Sequence, residues 1–268
     1  MEISLLIGVI FALVALFAGY TMEGGALTSL LLLSPFVIVV GGTLGATIAS
    51  YPLKDFLKAI KSVGSTFRSQ GSNNTKKLID KILTIAAAYQ TEGVHGLDSI
   101  AQDPDLQKGD WLVLKEGVVL MQDGNSAENI QYILEAELHA YAQQKQIEIS
   151  VFESAGGYSP TMGVLGTVMS LVVVLAAGFG DSAELAEKIS TAFIATLYGV
   201  ALANIIYLPI ANKMKMALKR SKIQREIIID GVCQIAKGVN SRSIENGLSM
   251  YYQAFADGSK NYKAGIEN

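Results

Sequence analysis

Four long stretches of this chain carry no charged residue, and they decide what it can fold into. Ile3 to Met22 runs for 20 residues without Asp, Glu, Lys, Arg or His, Gly24 to Leu53 for 30, Ser154 to Gly180 for 27, and Ile189 to Asn212 for 24. An α-helix needs about 20 mainly apolar residues to cross the hydrocarbon core of a bilayer. No other uncharged stretch approaches that length. The pattern predicts an all-α membrane protein with four transmembrane helices, roughly at 3–21, 28–51, 158–179 and 189–210. A signal peptide fits the first stretch poorly, because Glu2 replaces the positive n-region and no polar mature domain comes after it.

The basic residues lie on one side of these spans. Segment 52–156 holds ten Lys and Arg and segment 213–268 another ten, out of 21 in the chain. Lys54, Lys58 and Lys61 follow the second span, and Lys213, Lys215, Lys219 and Arg220 follow the fourth. The positive-inside rule then places both termini and the middle segment in the cytoplasm. The expected organisation is 1–51 for the first two spans and 52–156 for a helical cytoplasmic domain. Segment 157–211 supplies the last two spans, and 212–268 a cytoplasmic C-terminal helix with a disordered tail.

The middle segment reads as helical. Leu78, Ile79, Ile82, Leu83, Ala86 and Tyr89 recur at helical spacing, with Gly93 placed to end that helix. Trp111, Leu114, Val118 and Met121 mark a second helix. Asp123-Gly124-Asn125 forms a turn, and Ser126 is placed to cap the next helix. Ile130, Ile133, Leu134, Leu138 and Tyr141 mark that helix as a long one running toward Phe152. After the fourth span, Ile223, Ile227, Val232, Ile235 and Val239 share one side of another helix.

Enzyme chemistry finds no support. Cys233 is the one cysteine, and His95 and His139 stand far apart, so no metal site is expected. A net charge of −3 predicts no nucleic-acid partner. Gly41-Gly42-x-x-Gly45 lacks the Lys-Ser/Thr of a phosphate loop and reads as a close helix–helix contact. No cofactor is implied.

Two small-residue stripes are more informative. Gly163, Thr167 and Ser170 share one face of the third span, and Ala192, Thr196, Gly199 and Ala203 share one face of the fourth. On pattern alone these are first of all packing surfaces, since small residues let helices approach and Thr hydroxyls bond back to their own backbone. No span contains Asp, Glu, Lys, Arg or His, whereas ion-driven machines need an ionisable or coordinating group at membrane depth, normally a carboxylate. If the chain handles ions, a partner supplies the carboxylate.

Pro160-Thr-Met-Gly-x-Leu-Gly-Thr-Val in the third span, with Thr196-Leu-Tyr-Gly199, Asn204 and Pro209 in the fourth, closely resembles the A subunit of the bacterial flagellar stator, the MotA/PomA family. Glu92-Gly93-x-x-x-Leu97-Asp98, Glu116-Gly117 and Asp123-Gly124-x-x-x-Glu128-x-Ile130 extend the resemblance over most of the chain. It implies an inner-membrane subunit that forms a homo-pentamer around a dimer of B subunits. Each B subunit contributes one transmembrane helix with an essential aspartate and a peptidoglycan-binding domain. The implied ion pathway involves Pro160, Thr161, Gly163, Thr167, Ser170, Thr196, Tyr198, Gly199 and Pro209. The implied contact with the rotor switch protein involves Gln90 and Asp98, although the family often has a basic residue where Gln90 stands; Lys76, Lys77 or Lys81 are candidate substitutes.

The resemblance implies that the transported ion is Na⁺ or H⁺. Thr167 and Thr196 resemble a hydroxyl pair that sodium-driven family members place near the B-subunit aspartate, which favours sodium, because Na⁺ entering a dry site needs several oxygens to replace its water. Carbonyls freed near Pro160 are expected to add to them. Two other classes stay open: an ExbB/TolQ-type subunit energising outer-membrane transport or integrity, and a membrane scaffold without ion flux. ExbB and TolQ resemble the last two spans but have one helix ahead of the cytoplasmic domain, where this chain has two.

Overall fold

The computed structural model describes residues 4–66, 72–107, 109–176 and 182–256, and among these every regular element is helical. Helix α1 spans Ser4–Met22. A 3₁₀ turn at Leu27–Leu30 leads to α2, Leu33–Phe36, then to a π-helical turn, Val37–Gly41, and α3, Gly42–Ser50. Next come α4, Leu53–Thr66, α5, Ser72–Glu92, the short α6, Asp98–Ala101, and α7, Trp111–Gln122. Helix α8 runs unbroken over Ala127–Ala176. Helix α9, Ser182–Leu202, passes through a π turn, Ala203–Tyr207, into α10, Leu208–Ala236, and α11 covers Ser241–Ala256. Among the described residues, four helical stretches are long and apolar enough to cross a bilayer, within Ser4–Met22, Leu27–Ser50, Ala127–Ala176 and Leu185–Ala236. The all-α, four-span expectation is met.

The second span corrects the expectation of one continuous helix over 28–51. Pro35 has no N–H, and its ring excludes a helical carbonyl at Leu31. Leu32 is accordingly extended, at φ −113° and ψ 124°, and helix resumes at Leu33. Such a break opens backbone groups that a bilayer leaves unsatisfied at high cost. One side chain closes it. The Tyr198 hydroxyl donates to the Leu30 carbonyl and accepts the Leu32 N–H at 3.1 Å. The Phe36 ring stands edge-on to Tyr198, with centroids 6.2 Å apart.

Pro160 and Pro209 are absorbed differently. Pro160 lies inside α8 and interrupts one backbone bond without ending the helix. Ahead of Pro209 the ladder widens into the π turn, which relieves the crowding of the Ile205 carbonyl by the proline ring.

The chain forms two compact units, one of Met1–Ser69 with Gln144–Ala217, the other of Gln70–Gln143 with Leu218–Asn268. In the first, α4 packs Phe56 and Ala59 against Val151 of α8, with Tyr51 and Phe152 beside them. Tyr51 donates to the Ser150 carbonyl at 2.9 Å and its hydroxyl lies 2.8 Å from Ser154 Oγ.

The second unit has the main apolar core. Ile82 and Ile85 of α5, Leu114 and Val118 of α7, Ile130 and Leu134 of α8, and Ile227, Ile228 and Ile235 of α10 are buried together. Gly93, at φ +61°, comes after α5 in the left-handed conformation that ends helices. Ser126 Oγ accepts the Asn129 N–H at 3.3 Å ahead of α8. Helix α11 lies beyond the last helix expected from the sequence, which reached Val239. Asn240 Oδ1 caps it by accepting the Ser243 N–H at 2.9 Å, and Ile244 and Leu248 are buried against the core. The expected disordered tail, the last dozen residues, lies outside the described residues.

One buried polar cluster stands beside this core. Arg225 donates from Nε to Asp110 Oδ1 at 2.9 Å and from Nη1 to Glu137 Oε1 at 3.2 Å. Its guanidinium carbon lies 3.6 Å from the centre of the Tyr141 ring. Ser221 Oγ donates to the same Asp110 oxygen at 2.7 Å. Partial burial and then a hydrogen bond with Glu137 push Glu116 above its ordinary carboxylate range.

Candidate functional site

The two small-residue stripes meet face to face in the first unit. A Cβ built on Gly163 would lie 2.8 Å from the Ala195 carbonyl oxygen and 3.3 Å from Gly199 Cα. One built on Gly199 would lie 2.5 Å from the Ser159 carbonyl oxygen and 3.0 Å from Gly163 Cα. Backbone touches backbone here, so only glycine fits at either position. The buried Ser159 hydroxyl donates across this seam to the Gly199 carbonyl at 2.9 Å.

One turn further along α8, Thr167 Oγ1 lies 2.6 Å from Thr196 Oγ1, 3.0 Å from the Ala192 carbonyl and 3.1 Å from the Gly163 carbonyl. Carbonyls only accept, and each hydroxyl has a single hydrogen. The self-consistent arrangement has Thr196 donating to Thr167 and Thr167 donating to a carbonyl. The Thr196 oxygen then keeps its acceptor capacity open. Four neutral oxygens thus gather on a half-buried seam whose spans carry no charge of their own. Such a cluster suits either a dehydrated cation or a hydroxyl relay.

The other sequence candidates sit apart from this pair. The carbonyl that Pro160 leaves without its helical donor is that of Gly156, eleven residues before Thr167. At 1.5 Å per residue that is about 16 Å of helix rise. The expectation that this carbonyl joins the threonine pair is therefore corrected; the carbonyls at the pair belong to Gly163 and Ala192. Thr161 is exposed and donates to the Tyr158 carbonyl at 2.7 Å. Ser170 is half-buried one turn beyond Thr167. Tyr198 faces the break in the second span instead. Pro209 comes after the π turn, where the nearby Asn204 amide donates to the Val200 carbonyl at 2.9 Å. Of Gly41, Gly42 and Gly45, only Gly42 is closely approached within this chain, by the Met162 side chain.

Gln90 and Asp98 belong to the second unit, and both are exposed. Gln90 is engaged at both ends of its amide: Nε2 donates to the Val239 carbonyl at 2.9 Å and Oε1 accepts from Ser241 Oγ at 3.1 Å. Asp98 Oδ1 accepts from Gln122 Nε2 at 2.8 Å. Lys76 and Lys77 are exposed, whereas Lys81 pairs with Asp103 and holds that carboxyl below its ordinary range. Sequence reasoning missed the Tyr198 clamp and the Arg225 cluster. The signal for the first was Pro35 inside an apolar span; nothing local signalled the second.

Comparison with known proteins identifies the family. The motility protein A N-terminal model matches residues 6–93, and the MotA/TolQ/ExbB proton channel family model matches residues 106–227. Motility protein A of Bacillus subtilis is 33% identical over 258 residues, 95% of this chain and 92% of that protein. This chain belongs to the motility protein A family. Within the family, chemotaxis protein PomA of Vibrio alginolyticus is 27% identical over 94% of this chain and 95% of its own. The solved flagellar MotAB stator complex from Bacillus subtilis contains a chain that superposes with a TM-score of 0.83 at 32% identity, covering 92% of this chain and 94% of that one.

Proposed function

We propose that this chain is the A subunit of a flagellar stator and converts ion flow across the inner membrane into torque on a rotor. The observation that carries this reading is the Thr167–Thr196 pair, set in a glycine-tight seam of spans that contain no Asp, Glu, Lys, Arg or His. A partner must then bring the carboxylate, as the essential aspartate of a B subunit's single transmembrane helix does. Similarity to the MotAB stator chain supports that partnership. The proposed assembly is a pentamer of this chain around a B dimer, with termini and the second unit in the cytoplasm, the side favoured by the basic residues.

The ion is sodium in this reading. An aspartate from the B helix would supply the charge, and Thr167, Thr196 and the Ala192 and Gly163 carbonyls supply neutral oxygens that replace water. At the rotor, Asp98 offers its exposed carboxylate. Gln90 holds the segment leading into α11, and Lys76 and Lys77 are the exposed bases nearest along α5. The motility protein A N-terminal match over 6–93 favours a stator over an ExbB/TolQ-type subunit. The test is swimming speed at fixed membrane potential, with sodium replaced by potassium. Speed should collapse without sodium and be strongly reduced in Thr167→Ala at all sodium concentrations. Undiminished speed in potassium would identify a proton-driven stator and leave the threonines as a relay or packing pair.

A further inference from the structure

Helix α4 leaves the second span after only Tyr51 and Pro52, and its surface divides into three faces. Phe56 and Ala59 are buried against α8. A second face presents Leu53, Leu57 and Ile60, at i, i+4 and i+7, with 60%, 47% and 50% of their surface exposed. Lys54, Lys58 and Lys61 repeat the same spacing one residue on, so a basic stripe runs beside the apolar one, about 100° round the helix. Buried packing therefore accounts for one face and leaves a leucine–isoleucine stripe open at the point where the chain emerges from a membrane span. All three lysines are exposed, and Lys58 also donates to Gln144 Oε1 at 3.5 Å. Among the described residues, the ion pair within the helix is exposed Lys58 with half-buried Asp55 at 3.7 Å, a long contact near the surface of a kind that contributes little.

We propose that α4 lies in the membrane interface, with Leu53, Leu57 and Ile60 among the acyl chains and Lys54, Lys58 and Lys61 on the phosphates of anionic lipids. Apolar residues on one face and lysines alongside are the composition of helices that bind in the interfacial plane. Continuity with the second span holds the helix at that depth. The lysine stripe selects the partner: each basic residue near an anionic surface favours binding about fivefold, so three together give about 100-fold over a neutral surface. A second copy of this chain would match the apolar stripe but leave the three lysines without counter-charges.

The test uses the full-length chain in its native complex, reconstituted into vesicles of phosphatidylcholine with or without phosphatidylglycerol. An environment-sensitive fluorophore is attached at Ile60→Cys, and separately at Ser62→Cys on the far side of the helix, each in a Cys233→Ala background. Lipids brominated in the acyl chains should quench the label at residue 60 at least about twice as strongly as at residue 62. With phosphatidylglycerol omitted, or with Lys54→Gln, Lys58→Gln and Lys61→Gln combined, that difference should shrink toward parity. Equal quenching at both positions in the anionic vesicles would overturn the proposal. So would a residue-60 label shielded from both aqueous iodide and bromolipid, the outcome of burial against another copy. Strong quenching at residue 60 that ignores both phosphatidylglycerol and the lysines would overturn the anionic recognition.

Discussion

Gly199→Ala places a methyl group where the structure has a backbone oxygen. Its Cβ would lie 2.5 Å from the Ser159 carbonyl, and ordinary contact begins at 3.4 Å, so α8 and α9 must separate by about 0.9 Å. Neither neighbour can rotate away, because the nearest atoms are backbone. Overpacking of this kind costs about 1–3 kcal/mol. Separation also stretches the Ser159–Gly199 hydrogen bond, at 2.9 Å, whose loss adds about 1 kcal/mol. Against this, alanine stabilises a helix by about 1 kcal/mol over glycine. The net expectation is a loss of about 1–3 kcal/mol, or about 3–10 °C in apparent Tm for a protein of this size. The assay is the fraction of purified protein remaining monodisperse after heating, paired with soft-agar swimming. Gly45→Ala is the control, since nothing lies within 4 Å of its Cβ position within the chain. If Gly199→Ala melts and swims like Gly45→Ala, the seam yields freely and the close approach has no structural weight.

Tyr198→Phe removes the hydroxyl that serves both Leu30 and Leu32 and should lower stability by about 1–3 kcal/mol per stranded group, read as apparent Tm in detergent. Arg225→Met leaves Asp110 buried without its cation and should destabilise by about 3–5 kcal/mol, followed by the fluorescence of the single tryptophan, Trp111, during urea unfolding. Glu116 titrates above its ordinary value of 4.5 in the folded chain, so the stability it contributes is complete below about that pH and is lost as pH rises through the folded pKa. Raising the pH from there toward neutrality should therefore weaken the second unit, and Glu116→Gln should flatten that profile; an unchanged slope refutes the assignment. Asp98→Lys should cut torque, measured from tethered cells, without changing membrane insertion, since reversal of an exposed charge is nearly neutral for folding.

Membrane solvation is harsh enough that sequence alone determined the class of this fold. Twenty or more residues without charge leave a chain few options in a bilayer, so the four spans and the helical character came from local pattern. Helix spacing likewise identified the apolar faces of α5, α7, α8 and α10, because burial of one face leaves a period in the sequence. The glycine and threonine stripes were also visible as stripes. That they face each other, with Thr167 on Thr196 and Ser159 on Gly199, was decided by how α8 and α9 pack. Tyr198 is separated by 168 residues from the carbonyl it closes, and Arg225 by 115 from Asp110. No local period encodes such pairings. They arise because buried polar groups must find partners, and the partners available are set by which helices the core brings together.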